Sequence, residues 1–270
     1  MNNWSKYFFV LGAPLCLILR IFLIFTNMNP ETGFYLTGGF GVSFYHTLLI
    51  LCLGIIIFHG LFKMKPRDFS VRKPALLSLA SAFCGMMILL TSGFSFLDFL
   101  GEMFRWSDPV KHLMGSIPTA VWQLVRLLIG LSAGSNLLSY AIAGGKLFRR
   151  SALLMTTSIW TMIYAVEQFM ALPQIADMSD RVLWMLTLLF FALAMIGQAR
   201  IIRNVKPEKG AKYLCAYGFA CAFCGLVLGI SQIVTLQRVC TIDTMQWILT
   251  TSMGLHALVM ALSCHCEGDK

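Results

Sequence analysis

Apolar residues come along this chain in long runs. Each run is about 20 residues, the length that a roughly 30 Å hydrocarbon layer asks of a helix. Strict alternation of apolar and polar positions, the mark of a half-buried or barrel strand, is missing from them. The runs are apolar all the way round, so a helix formed from one has no water-facing side. They place eight spanning helices at roughly 8–27, 43–62, 76–97, 118–142, 151–172, 182–202, 213–236 and 244–263. The polar intervals between them are too short for a soluble domain. The expectation is an all-α, polytopic integral-membrane helical bundle forming a single domain over 1–270. The first run follows Lys6 as a signal peptide would, but it has no small-x-small cleavage pattern and contains Arg20, so it reads as a spanning helix.

Composition agrees: 58% of the 270 residues are hydrophobic and 12% are charged, against about 25% charged in soluble chains. The net charge of +9 could suggest nucleic acid until its distribution is read. The connections 63–75 and 200–212 hold five Lys or Arg each, and 145–150 holds three. With Lys6 and Lys270 they lie on one side, while the other side has only Arg105, Lys111, Arg181 and Arg238, among seven acids. The positive-inside rule then puts both termini in the cytoplasm and makes the basic excess a matter of topology. Nucleic acid is excluded as a partner; the lipid bilayer takes its place. Trp106, Trp122, Trp184 and Trp247 fall near the outer ends of their runs, as an interfacial belt would.

An internal repeat is also indicated. SAFCGMMILL at 81–90 matches CAFCGLVLGI at 221–230, Lys65-Pro66 matches Lys206-Pro207, and GLSA at 130–133 matches GLHA at 254–257. These fit a 4+4 parallel duplication with halves 1–150 and 151–270, an arrangement in which transporters place sites between repeats. The other reading is convergent use of small residues where helices pack closely.

Three ionisable residues lie inside the runs: Arg20, Arg126 and Glu167. An unpaired charge there costs at least about 3 kcal/mol, so such groups face the interior and find partners. The helices carrying Arg126 and Glu167 are joined by a short connection, and the two residues lie at similar depth, so they should pair. Arg20 would then remain positive, in company with Gln123, Gln232 and His46 in the outer halves of their helices. Together the six outline an outward-opening pocket for a small anionic solute. The alternative is that Arg20 snorkels to headgroups and the pair only fixes packing.

Other features carry less. His46 and His59 sit near opposite ends of one helix, and His256 reads as a hydrogen-bonded packing residue. Cys16, Cys52, Cys84, Cys215, Cys221 and Cys224 lie in apolar runs and read as small core residues. Cys264, His265 and Cys266 lack a second ligand pair at zinc spacing, so no metal and no cofactor is expected. No G-x-S-x-G, H-E-x-x-H or Walker pattern is present, which argues against an enzyme. The loop NMNPETGFYLTGGFG at 27–41 could fold back over the pocket as a lid or be an ordinary Gly-rich turn.

Leu19-Arg20 followed by NPETGFY at 29–35 resembles a group of polytopic membrane proteins from clostridia and related Gram-positive bacteria, in which an arginine in the first helix precedes a D-P-E-T-G-F-like loop. Asn29 stands here where Asp is more usual. The resemblance covers about 17 residues; it implies a bacterial plasma membrane protein and brings no activity with it. A permease-like protein or transporter subunit is the leading expectation. A non-transporting sensor or assembly protein, with a membrane-protein partner or a second copy of itself, is the other.

Overall fold

The computed structural model describes residues 4–29, 35–36, 39–63, 75–104, 117–143, 152–171, 179–235 and 243–265. Eight long helices account for nearly all of them. These are α1 (Trp4–Thr26), α2 (Phe40–Phe58, continued by a π-helical turn His59–Lys63), α3 (Ala75–Phe104), α4 (Ile117–Ala143), α5 (Ala152–Ala171), α6 (Ser179–Ile202), α7 (Pro207–Val234) and α8 (Thr244–His265). Seven are long and apolar enough to cross a membrane. The eighth, α5, is loaded with Thr156, Thr157, Ser158, Thr161 and Glu167; Thr161 bonds back to the Thr157 carbonyl of its own helix, and the other four meet neighbouring helices. Ser158 donates to the Ala192 carbonyl at 3.0 Å, and Asn136 donates to Thr156 Oγ1 at 2.6 Å.

The helices pair in order, α3 with α4, α4 with α5 and α5 with α6. Contacts of α8 with α3 and α6 close this series into a five-helix ring of α3, α4, α5, α6 and α8. Helix α7 packs outside the ring against α6 and α8, and α1 and α2 are carried on α7. That central place makes α7 the most enclosed helix. By contrast α1 has two faces: Tyr7, Leu11, Ile18, Phe22 and Phe25 are exposed, while Cys16, Arg20, Leu23 and Ile24 are buried. The exposed set follows the helical period, as a lipid-facing stripe should.

Close crossings rest on small residues. A Cβ on Gly197 would stand 2.8 Å from the Gly210 carbonyl oxygen, and one on Gly85 2.8 Å from that of Gly134. Gly225 approaches Thr250 and Gly254 in the same way. Backbones this near give the van der Waals contact that drives helix association in lipid. The two FCG matches of the sequence, at Gly85 and Gly225, therefore mark the α3–α4 and α7–α8 crossings.

We call the end of the bundle where α1 finishes and α6 begins the acidic end, and the opposite one the basic end. At the basic end α6 passes into α7 through a tight turn. Asn204 and Lys206 have φ of 55° and 49°, Val205 N–H returns to the Arg200 carbonyl at 3.0 Å, and Pro207 opens α7. At the acidic end Met28 and Tyr35 form an isolated antiparallel bridge, and Leu36 N–H donates to the Asn27 carbonyl at 2.7 Å. Of the expected lid at 27–41, residues 30–34 and 37–38 lie outside the described residues, as do most of the basic connection 63–75 and Cys266.

Candidate functional site

Two buried charged networks lie toward the acidic end, one on each side of the first turns of α6. The first joins α1, α2, α6 and α7. Arg20 is fully buried and forms an ion pair with Asp180, itself 1% exposed, in the first turn of α6. Arg20 Nε donates to Ser231 Oγ at 2.9 Å, and its NH1 reaches the Tyr45 hydroxyl at 3.5 Å. Gln232 Nε2 donates to the other Asp180 oxygen at 3.0 Å. A carboxylate in the first turn of a helix is also favoured by the helix dipole. The network is thus electrically closed, a neutral pair in which both carboxylate oxygens and the guanidinium have partners.

This corrects two expectations. Arg20 does not snorkel, because it lies on the buried stripe of α1. Nor does it remain as a free positive centre, because Asp180 neutralises it. The hydropathic run begins at 182, whereas the helix begins at Ser179, so Asp180 was counted with the connection. The available signal was a Ser-Asp pair at a helix start, level with the arginine once the helix is extended by one turn. Tyr45 and Ser231 carry no signal in sequence beyond their place in an apolar run.

The second network lies on the ring helices. Arg126 NH1 and Glu167 Oε2 are 2.8 Å apart, the expected α4–α5 pair. Trp122 Nε1 donates to Glu167 Oε1 at 2.7 Å, and Arg126 NH2 donates to Ser95 Oγ of α3 at 3.3 Å. The guanidinium lies over the Tyr164 ring, 5.4 Å from its centroid. Tyr164 in turn stacks on Trp160 (5.1 Å, 9° between planes) and meets Trp184 of α6 edge-on at 6.0 Å. One turn further along α4, a Cβ on Gly130 would run into the Ser92 hydroxyl and stand 2.8 Å from Trp160 Nε1. These two donors are therefore neighbours across the α3–α4–α5 contact.

Unlike the first network, this one is open. Arg126 Nε, Trp160 Nε1, Trp184 Nε1 and Ser92 Oγ are buried and have no hydrogen-bond partner among the described residues. Their residues are between 0% and 8% exposed. Buried polar groups of native proteins are nearly always satisfied; besides these four, Trp247 Nε1 and His256 Nε2 of α8 are buried without a partner among the described residues. Ser92, Gly130 and Trp160 lie 11 to 13 residues from the acidic-end termini of their helices. At 1.5 Å per residue that is roughly 15–20 Å down, near the middle of the hydrocarbon layer.

The six expected site residues therefore divide. Arg126 and Glu167 come together, and Gln123 lies half-buried on the same helix, one turn before Arg126. Arg20 and Gln232 come together on Asp180. His46 is exposed on α2, with its ring near Tyr35 (5.7 Å) and Tyr45 (5.4 Å), at the margin of the first network and away from Arg126 and Glu167 in the second. Arg20 pairs with Asp180 and Arg126 pairs with Glu167, and Asp180 and Trp184, which belong one to each cluster, lie one turn apart on α6.

No family model, curated protein or solved structure matches the chain. The site has to be read from its own chemistry. Elsewhere in the ring His256 is fully buried: the Ser81 hydroxyl donates to the Leu77 carbonyl at 2.7 Å and is left to accept from His256 Nδ1 at 3.2 Å. This is the packing role expected of it. Cys16, Cys52, Cys84, Cys215, Cys221 and Cys224 are free and buried. Among the described residues no three His, Cys, Asp or Glu gather as metal ligands.

Proposed function

We propose that this multi-pass membrane protein is permease-like, set in a bacterial plasma membrane with both termini cytoplasmic, and that it binds a small anionic solute reaching it from the outer, acidic end. The observation that carries the reading is the open network around Arg126, in which Arg126 Nε and neighbouring N–H and O–H donors lack acceptors among the described residues. A solute bearing acceptor oxygens would satisfy them at the depth where transporters hold their substrates. Arg20, the contact first expected for the anion, becomes on this reading a structural lock. The alternative of a sensor or assembly protein draws its support from that closed lock, since a pair with all partners in place has no ligand to gain.

The test is equilibrium binding of radiolabelled benzoate, succinate and phosphate to the protein in lipid nanodiscs. At least one should bind saturably and lose about tenfold or more in affinity with Arg126→Gln, while Arg126→Lys keeps part of it. Absence of binding by all three would overturn the reading.

A further inference from the structure

The basic end carries a surface that neither charged network uses, and it stands whether or not the Arg126 network holds a solute. We propose that the α6–α7 corner is a binding surface for an anionic phospholipid, whose headgroup phosphate meets Arg200, Lys209 and the Tyr213 hydroxyl while an acyl chain runs down α6.

The close crossing of α6 and α7 builds the headgroup end. A Cβ on Gly210 would stand 2.9 Å from Arg200 Cβ, and one on Gly197 3.2 Å from Tyr213 Cβ. Each long side chain thus starts against the other helix at a glycine, and the Arg200 guanidinium lies over the Tyr213 ring, 5.0 Å from its centroid. Stacking holds the guanidinium plane and leaves its N–H edges open, the form in which arginine grips a phosphate with two hydrogen bonds. Lys209 precedes Tyr213 by four residues on α7, so the two leave the same face about 6 Å apart at Cβ. Among the described residues the Arg200 guanidinium, the Lys209 ammonium and the Tyr213 hydroxyl have no hydrogen-bond or ion-pair partner.

Charge and depth select the partner. Residues 200–212 hold five cations and one acid, Glu208, and none of the five is ion-paired among the described residues. Unlike Arg126, which Glu167 neutralises, these groups have positive charge left to balance a phosphate. The 24 residues of α6 span about 36 Å, more than the roughly 30 Å hydrocarbon layer, so Arg200 in the last turn reaches the phosphate level.

An apolar track leads down from it. Between Thr187 and Arg200 the α6 residues that are not buried are Leu189, Leu193, Ile196 and Arg200. Their spacing puts them on one face of the helix, a single lipid-facing stripe that ends in a cation. From Leu189 to Arg200 it measures about 16 Å, close to the depth of one leaflet's hydrocarbon. A free anion would use only the top of this surface, whereas a phospholipid covers all of it.

The test is native mass spectrometry of delipidated, monodisperse protein titrated with dioleoyl phosphatidylglycerol or dioleoyl phosphatidylcholine. The first phosphatidylglycerol should bind about tenfold or more tighter than phosphatidylcholine, and Arg200→Gln and Lys209→Gln should each weaken it about fivefold. Tyr213→Phe keeps the ring beneath the guanidinium and removes the hydroxyl, for a loss of about threefold. Arg149→Gln with Arg150→Gln removes charge from the other short basic connection and should leave this first affinity unchanged. Equal binding of the two lipids, or unaltered affinity in both Arg200→Gln and Lys209→Gln, would overturn the proposal. A loss in the Arg149/Arg150 variant as large as in Arg200→Gln would replace the site by a diffuse field. Displacement of phosphatidylglycerol by inorganic phosphate at equal concentration would show a free anion, and not a lipid, to be what the cations hold.

Discussion

Asp180 is the residue on which the first network depends. Removing one member of a buried ion pair leaves the other charged and unpartnered, which costs about 3–5 kcal/mol. Asp180→Ala should therefore lower the thermal unfolding midpoint in detergent by the equivalent of that loss, because Arg20 is fully enclosed. Arg20→Met combined with Asp180→Leu should recover most of it, since replacing both charges by apolar groups is often neutral. A double variant no better than the single one would mean that the pair itself is indispensable. Glu167 is 17% exposed at its side chain, so Glu167→Gln should be milder, about 1–3 kcal/mol in the same assay. The Arg126–Glu167 pair was legible in sequence, because the two depths agree and a short connection forces α4 and α5 together. Arg20 was legible as buried, but its acid was not. A hydropathy run ends where polar residues begin, and a helix continues through them as long as its backbone bonds are made.

Helix contacts turn on a few positions without side chains. Gly197 of α6 and Gly210 of α7 approach so closely that a Cβ on either meets the other's carbonyl oxygen at 2.8 Å. Gly197→Ala should separate the helices and lower the unfolding midpoint, whereas Gly93→Ala, where nothing lies within 4 Å, should leave it unchanged or raise it through better helix propensity. Equal effects from the two would mean that the crossing is looser than described. The π-helical turn ending α2 makes a close approach of the same kind, since a Cβ on Gly60 would stand 2.6 Å from Ala216 Cα. The sequence announced these crossings as the matches FCG at 83–85 and 223–225, but an identical signal arises from duplication and from packing. Close packing accounts for the glycines in both copies; a common origin for the halves remains a proposal. Helix lengths were less legible: α7 begins at Pro207, six residues before its apolar run, because a proline at the first position and a tight turn set its start.

Across the whole molecule, the alternation of basic and acidic connections predicts eight antiparallel crossings, of which seven helices are long and apolar enough to span, but not their arrangement. That α7 would lie among α6, α8, α1 and α2, while α6 and α8 close a ring with α3, α4 and α5, depends on which faces carry small residues and is not encoded in hydropathy. Orientation has its own check. A fluorescent protein inserted between Asn204 and Val205, in the exposed basic turn, should fold and fluoresce in the cytoplasm, and fluorescence lost there but gained at an acidic-end insertion would reverse the topology. The central claim is that the two charged networks have different roles, one closed and structural, the other open and ligand-bearing. It is tested most directly by measuring the affinity for benzoate, succinate and phosphate in nanodiscs for the wild type, Arg20→Met/Asp180→Leu and Arg126→Gln. Affinity within about threefold of wild type in the double variant, with a loss of about tenfold or more in Arg126→Gln, is the expected result. Binding abolished by the double variant in folded protein and retained by Arg126→Gln would contradict it.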